Sequence, residues 1–198
     1  MTLRLESLSA LVFAIVVASW FAFGILFFAR KKPPGGPESK RERASTLGIV
    51  LQGASYGIVW SVHRPFFSPI VVLSKPLEIA LAVFAISVAV GSVWFVLSAI
   101  RTLGKQWSLG ARLIEGHKLI TEGPYRLVRN PIYTGMFGLL LATGLAVSHW
   151  VGLLIAIVVY AVGTVVRVRS EEKLLRGAFG AEFDAYARRV PAVIPFLF

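Results

Sequence analysis

The chain has 198 residues, of which 56% are hydrophobic and only 16% charged, against about a quarter charged in an ordinary soluble domain. Its apolar residues fall in long uncharged runs, which points to lipid rather than water as the solvent. The absence of cysteine excludes disulfides, thiolate metal ligands and a cysteine nucleophile together. The net charge of +11 would suggest nucleic acid in a soluble protein, but here the basic residues flank apolar runs, so no nucleic-acid partner is expected.

The first predicted span, 7–29, is an uncharged run closed by Arg30, Lys31 and Lys32. It suits a hydrocarbon core of about 30 Å at 1.5 Å per residue, and the basic stop after it argues against a cleaved signal peptide. Pro33, Pro34, Gly35, Gly36 and Pro37 break any helix. A second span covers about 46–62, and a polar, proline-bearing stretch from His63 to Pro76 leads to a third at about 77–100, with Glu78 at its entrance. On this reading spans one to three bury no charge.

Asn130 to Val166 contains no charged residue over 37 positions, too many for one ordinary span of about 20. His149 and Trp150 fall near the middle, and tryptophan favours the interface. The stretch therefore reads as a tight helical hairpin, 131–148 and 151–166. The fold class is all-α: a polytopic membrane protein of about five transmembrane helices, with a C-terminal helical hairpin and a polar cap.

Charge sets the orientation. The segments 30–45, 101–129 and 167–198 each hold six Lys or Arg, 18 of the 21, leaving Arg4, Arg64 and Lys75 for the other side. By the positive-inside rule the N-terminus lies outside and the C-terminus in the cytosol. The two richest polar segments, 101–129 and 167–198, then share one side, flank the hairpin and can meet there. His63 and His149 fall on the far side, and three dispersed histidines without cysteine give no metal site.

The polar segments carry a series of motifs. His117 to Arg126 reads His-Lys-Leu-Ile-Thr-Glu-Gly-Pro-Tyr-Arg, and Arg129 to Gly135 reads Arg-Asn-Pro-Ile-Tyr-Thr-Gly. After the hairpin come Arg167, Glu171 and Glu172, then Phe179-Gly180, Tyr186, and Val190-Pro191. In order and spacing this resembles the isoprenylcysteine carboxyl methyltransferases and their relatives, which include phospholipid N-methyltransferases. The resemblance covers about residues 103–196. The first two spans carry no diagnostic residue, so residues 1–76 divide from a core at 77–198.

The resemblance implies S-adenosylmethionine as cofactor, S-adenosylhomocysteine as product, and a lipophilic small-molecule or lipidated acceptor reached among membrane lipids. By motif position, His117, Leu119, Ile120 and Thr121 would line the cofactor, mostly through backbone. Tyr125, Asn130, Pro131 and Tyr133 would continue the pocket, Glu171 would contact the cofactor from the tail, and Arg167 would face the acceptor. Elementary chemistry agrees. Tyr125 and Tyr133 can pack on the adenine or sulfonium, Pro131 suits a first helical turn whose free amides could take a carboxylate, and Glu171 suits the ribose hydroxyls or the amino group. No Gly-x-Gly-x-x-Gly follows a strand, so the site is not a Rossmann site.

Three features hold other readings open. Arg167 and Glu171 are four residues apart and could be an ordinary helical ion pair, while Glu172 points about 100° away. Asn130 stands where the family usually has His, and Asn cannot titrate. Beyond Glu172, Leu175, Phe179, Phe183, Tyr186 and Val190 form an apolar helical stripe that would cap the pocket. A non-enzymatic scaffold or transporter component, and a reductase using a nicotinamide cofactor, are the alternatives. Acceptors that fit are a prenylated cysteine's carboxylate, a phospholipid amine and a small thiol.

Overall fold

The computed structural model describes residues 5–28, 38–41, 44–70, 74–106, 112–114 and 118–194. Its helices are α1 (Leu5–Phe28), α2 (Ala44–Ser61), α3 (Lys75–Leu103), α4 (Pro131–Val147), α5 (Trp150–Phe179) and α6 (Ala181–Ala187). The all-α expectation holds, with one addition. Glu38–Arg41 (β1) pairs antiparallel with Arg112–Ile114 (β2), a two-stranded ribbon that the Pro/Gly composition around it did not announce. The ribbon ties the α1–α2 connection to the segment after α3.

Three helices are long and apolar enough to cross a membrane: α1 over Ser7–Phe27, α3 and α5. Helix α4 is apolar but has 17 residues, and α2 has 18, with Ser45, Gln52 and Ser55 buried on its inward side. Many large apolar side chains point outward, among them Phe21, Phe84, Trp94, Leu154 and Val158. The apolar residues of these helices therefore face both the core and the surroundings, as lipid allows and water does not.

Small residues bring the helices together. Gly135 and Gly138 of α4 lie against Val96 and Ser92 of α3, where any Cβ would collide. Between α2 and α5 the same is true of Gly48 and Gly163: a Cβ on Gly163 would stand 3.0 Å from the Gly48 carbonyl oxygen. Close backbone approach of this kind is how helices gain packing when lipid gives no hydrophobic advantage to association. Gln52 Nε2 then donates to Thr164 Oγ1 across the α2–α5 interface at 2.9 Å.

Two expectations need correction. Helix α5 does not end at Val166. It runs unbroken to Phe179, 30 residues or about 45 Å, and so extends roughly 15 Å beyond a 30 Å hydrocarbon core. No proline stands between Val166 and Phe179, Gly177 falls only in the last turn, and the charged residues there are good helix formers. The apolar stripe is likewise split, between α5 and α6 at Gly180, whose φ of 51° suits glycine, and Val190 lies beyond α6.

The second correction concerns charge. Glu78 is 1% exposed in the first turn of α3, so the third span does bury a charge. Its Oε1 accepts from the Ile70 amide at 3.0 Å, and its charge bears on Arg64. Arg64 in turn donates to the carbonyls of Ile70 (3.1 Å), Leu145 (2.8 Å) and Ala146 (3.2 Å). The α2–α3 connection is thereby locked onto the α4–α5 turn, reinforced by a backbone bridge between His63 and Ser148. At entrance distance from lipid, a carboxylate can be buried when its partners are supplied by a loop that folds back over it.

Candidate functional site

At the opposite end of the bundle, α4 begins and α5 leaves the apolar layer. Pro131 sits at the first position of α4, where its missing N–H costs nothing. Two residues on, Tyr133 is buried, and its backbone carbonyl accepts from the Tyr160 hydroxyl of α5 at 2.7 Å. Tyr133 is thus tied to α5 two turns before Arg167.

Arg167 is 4% exposed. Its Nε donates to the Tyr133 hydroxyl at 2.6 Å, and its guanidinium carbon lies 5.0 Å from the Tyr133 ring centroid. Its Nη2 donates to Glu171 Oε1 at 3.0 Å, and the Tyr133 hydroxyl donates to the same oxygen. Three predicted site residues, Arg167, Tyr133 and Glu171, therefore form one closed cluster. The Glu171 side chain is 26% exposed and Arg167's is 5%, so the cluster opens toward solvent at its carboxylate. The helical ion pair considered from the sequence exists, but it is one edge of a buried triangle, beyond what a surface pair would be. Tyr133 packs on the Arg167 guanidinium in this structure.

The tail closes over the same end. Arg129 is its main anchor: Nε and Nη2 donate to Glu172 Oε1 at 2.9 and 2.8 Å, and Nη1 donates to the Ala187 carbonyl at 2.8 Å and to that of Val190. Its backbone amide reaches the Pro191 carbonyl at 2.8 Å. The Asn130 amide and side-chain Nδ2 both donate to the Ala192 carbonyl, at 2.9 and 3.0 Å, and the Thr134 hydroxyl donates to Val193. The Asn130 side chain is therefore engaged with the tail. That role needs only a donor, which Asn retains from the family's His.

Tyr125 lies in a 3-10 turn, Gly123–Arg126, packed on the end of α3 beside Thr102. It is buried, and burial, then the Glu171 carboxylate, then Tyr186 push its phenol above the usual range. Its carbonyl accepts from the Tyr186 hydroxyl of α6 at 2.6 Å. Burial raises the Tyr186 phenol to about 12, so it stays a donor at any physiological pH. Leu119 and Ile120 are half-buried and Thr121 is exposed, in a non-helical run that leads into this turn. Their amides take no hydrogen bond among the described residues. His117 lies outside the described residues.

Sequence reasoning passed over Arg129, Glu172 and Tyr160. Glu172 was discounted because it points away from Glu171, and it does, toward Arg129. Arg129 counts in the sequence only among the basic residues of segment 101–129 and as the start of a motif; the folded tail shows its partners. Tyr160 stood in an apolar run and gave no signal.

Comparisons with known proteins bear on the family. The phospholipid methyltransferase family profile matches residues 80–182, over half of the chain. The protein-S-isoprenylcysteine O-methyltransferase B of Arabidopsis thaliana is 32% identical over 102 residues, 50% of this chain and 52% of its own length. The cobalt-zinc-cadmium resistance protein CzcN of Cupriavidus metallidurans is 38% identical over 107 residues, 50% of this chain and 46% of its own. A protein-S-isoprenylcysteine O-methyltransferase of Schizosaccharomyces pombe is 30% identical over 102 residues, 50% and 43% of the two chains. The chain spans about half the length of these curated relatives.

Proposed function

Since the chain belongs to the phospholipid methyltransferase family, we propose that it is a membrane enzyme that transfers a methyl group from S-adenosylmethionine to a lipophilic acceptor at the cytosolic membrane face. The observation that carries this reading is the buried Arg167–Tyr133–Glu171 cluster, placed where α5 leaves the apolar layer and roofed by the tail. The residues suit the cofactor: a part-exposed carboxylate at Glu171, a buried Tyr125 within reach of its charge, and backbone amides at Leu119, Ile120 and Thr121 that make no hydrogen bond among the described residues. His117, Asn130 and Pro131 complete the proposed wall, Asn130 through its hold on the tail. The helices α2 and α4 bring the crossings to five, with the N-terminus outside and the C-terminus and the cofactor site in the cytosol. Residues 77–198 form the methyltransferase core, and α2 from the 1–76 part packs directly on it.

When bound, S-adenosylmethionine supplies an electrophilic methyl group: the acceptor's lone pair forms the new bond as the carbon–sulfur bond breaks, its electrons passing to the sulfur, whose positive charge disappears. The chain's own work is binding, alignment and exclusion of water. Arg167 holds an anionic group of the acceptor, a carboxylate or a phosphate, through its planar fork. Tyr133 fixes the guanidinium by accepting at Nε, and Glu171 holds the amino group or a ribose hydroxyl of the cofactor. Arg129, Asn130 and Thr134 hold the tail down over the reacting groups. Two relatives are named for O-methylation of S-isoprenylcysteine, and a carboxylate needs no base to become a nucleophile at neutral pH, so a prenylated cysteine is the favoured acceptor.

Isothermal titration of the detergent-purified protein tests the reading. S-adenosylhomocysteine should bind and NADPH should not. Binding of neither would leave a scaffold, and binding of NADPH alone would leave a reductase.

A further inference from the structure

Helix α2 lies outside the matched family region, yet it forms one wall of the Arg167 site. Gly48 abuts the Arg167 stem: a Cβ there would strike Arg167 Cγ and stand 2.7 Å from the Gly163 carbonyl oxygen. Helices α2 and α5 run antiparallel, because Gly152 lies against Val62, Gly163 against Leu51 and Gln52, and Arg167 against Gly48. The Gln52–Thr164 hydrogen bond fixes their register. Two helical turns are about seven residues. Stepping back two turns from Gln52 reaches Ser45, and stepping forward two turns from Thr164 reaches Glu171. Ser45 and Gln52 point within about 20° of each other on α2 at 100° per residue. The Ser45 hydroxyl thus faces α5 at the level of Glu171 and of the Arg167 guanidinium, which reaches toward Glu171.

Ser45 is 2% exposed, and its hydroxyl has no hydrogen-bond partner among the described residues. Among the described residues the Ser68 hydroxyl, in the α2–α3 connection, is also without a partner, but three serines within the helices behave differently. Ser19, Ser55 and Ser170 donate to carbonyls three or four residues back in their own helices. Ser45 stands in the first turn of α2, where no helical carbonyl exists four residues earlier. A buried hydroxyl without a partner is unfavourable, and native structures keep few of them. Placed beside a buried guanidinium at the mouth of a ligand site, it has a use: it is a second donor for the anion that Arg167 binds.

Resting on the reading of Arg167 as the acceptor-binding residue, we propose that Ser45 is a substrate-binding residue, donating a hydrogen bond to the carboxylate or phosphate of the methyl acceptor. Helix α2 is then part of the acceptor site, and the site is incomplete in residues 77–198 alone.

The test uses the full chain in detergent, with radiolabelled S-adenosylmethionine and two acceptors, N-acetyl-S-farnesylcysteine for a carboxylate and phosphatidylethanolamine in mixed micelles for a phosphate. With the acceptor that the wild type methylates, Ser45→Ala should raise acceptor KM about ten- to a hundred-fold, as loss of a hydrogen bond to a charged group implies. Affinity for S-adenosylhomocysteine should stay within about two-fold, and Ser45→Thr, which keeps the hydroxyl, should restore KM. The melting temperature of Ser45→Ala without ligand should equal or exceed that of the wild type, since no internal bond is lost. A fall in melting temperature with unchanged KM would make Ser45 structural and overturn the proposal. Weakened S-adenosylhomocysteine binding with unchanged acceptor KM would assign the hydroxyl to the cofactor instead, also overturning it. A wild type that binds S-adenosylhomocysteine but methylates neither acceptor would refute the anionic-acceptor assignment and Ser45's role with it, leaving the methyltransferase reading standing. A wild type that binds no S-adenosylhomocysteine would sink both.

Discussion

Each end of the helix bundle sets an arginine near a glutamate, part-buried at Arg64 and buried at Arg167, and the two pairs are built differently. At one end Arg64 is held by three backbone carbonyls, and Glu78, 1% exposed, by a backbone amide. At the other end Arg167 and Glu171 are bonded to each other and to the Tyr133 side chain, with the carboxylate part-exposed. Backbone partners cannot turn away without unfolding a loop, so the first pair is a lock. Side-chain partners can be exchanged for those of a ligand, so the second pair can open onto one. Burial of a charge alone does not mark function; the nature of its partners does.

That contrast ranks the effects of substitution on stability. Glu78→Ala removes the acceptor for Ile70 and the counter-charge of Arg64 together. It should cost about 3–5 kcal/mol, the usual penalty for breaking a buried pair from one side, and any protein that still folds should keep its affinity for S-adenosylhomocysteine. A small change in melting temperature would mean that water or lipid headgroups already solvate Glu78, and the lock would be a misreading. Arg129→Ala is intermediate. It frees the tail by deleting bonds to Glu172, Ala187 and Val190 at about 1.5–3 kcal/mol, as for a charged hydrogen-bond partner. It should speed tryptic cleavage at the exposed Arg188 and Arg189 and weaken S-adenosylhomocysteine binding. Faster cleavage with intact binding would show that the pocket closes without its roof.

The sequence carried the helices well because lipid demands long uncharged runs and basic stops, which survive in any context. It carried Arg167, Tyr133 and Glu171 through motif spacing, and three-residue and four-residue steps on a helix are local geometry. It did not carry Arg129 with Glu172, 43 positions apart, or Gly48 with Arg167, which meet only when α2 packs on α5. It also ended α5 too early, since the end of an apolar run is the end of the lipid and need not be the end of a helix. The buried Glu78 was hidden for a similar reason: its partners come from a loop whose path no local pattern predicts.

Smallest in stability and most telling in function are Glu171→Gln and Arg167→Lys, studied side by side by titration with S-adenosylhomocysteine, turnover and melting temperature. Glu171→Gln should weaken S-adenosylhomocysteine binding by about 1.5–3 kcal/mol, through loss of a charged hydrogen bond. Arg167→Lys keeps the charge and loses the fork to Tyr133, so it should lower turnover while leaving S-adenosylhomocysteine affinity nearly unchanged. Equal, modest losses of melting temperature in both variants, with S-adenosylhomocysteine affinity and turnover untouched, would contradict the assignment and leave the cluster as a purely structural one.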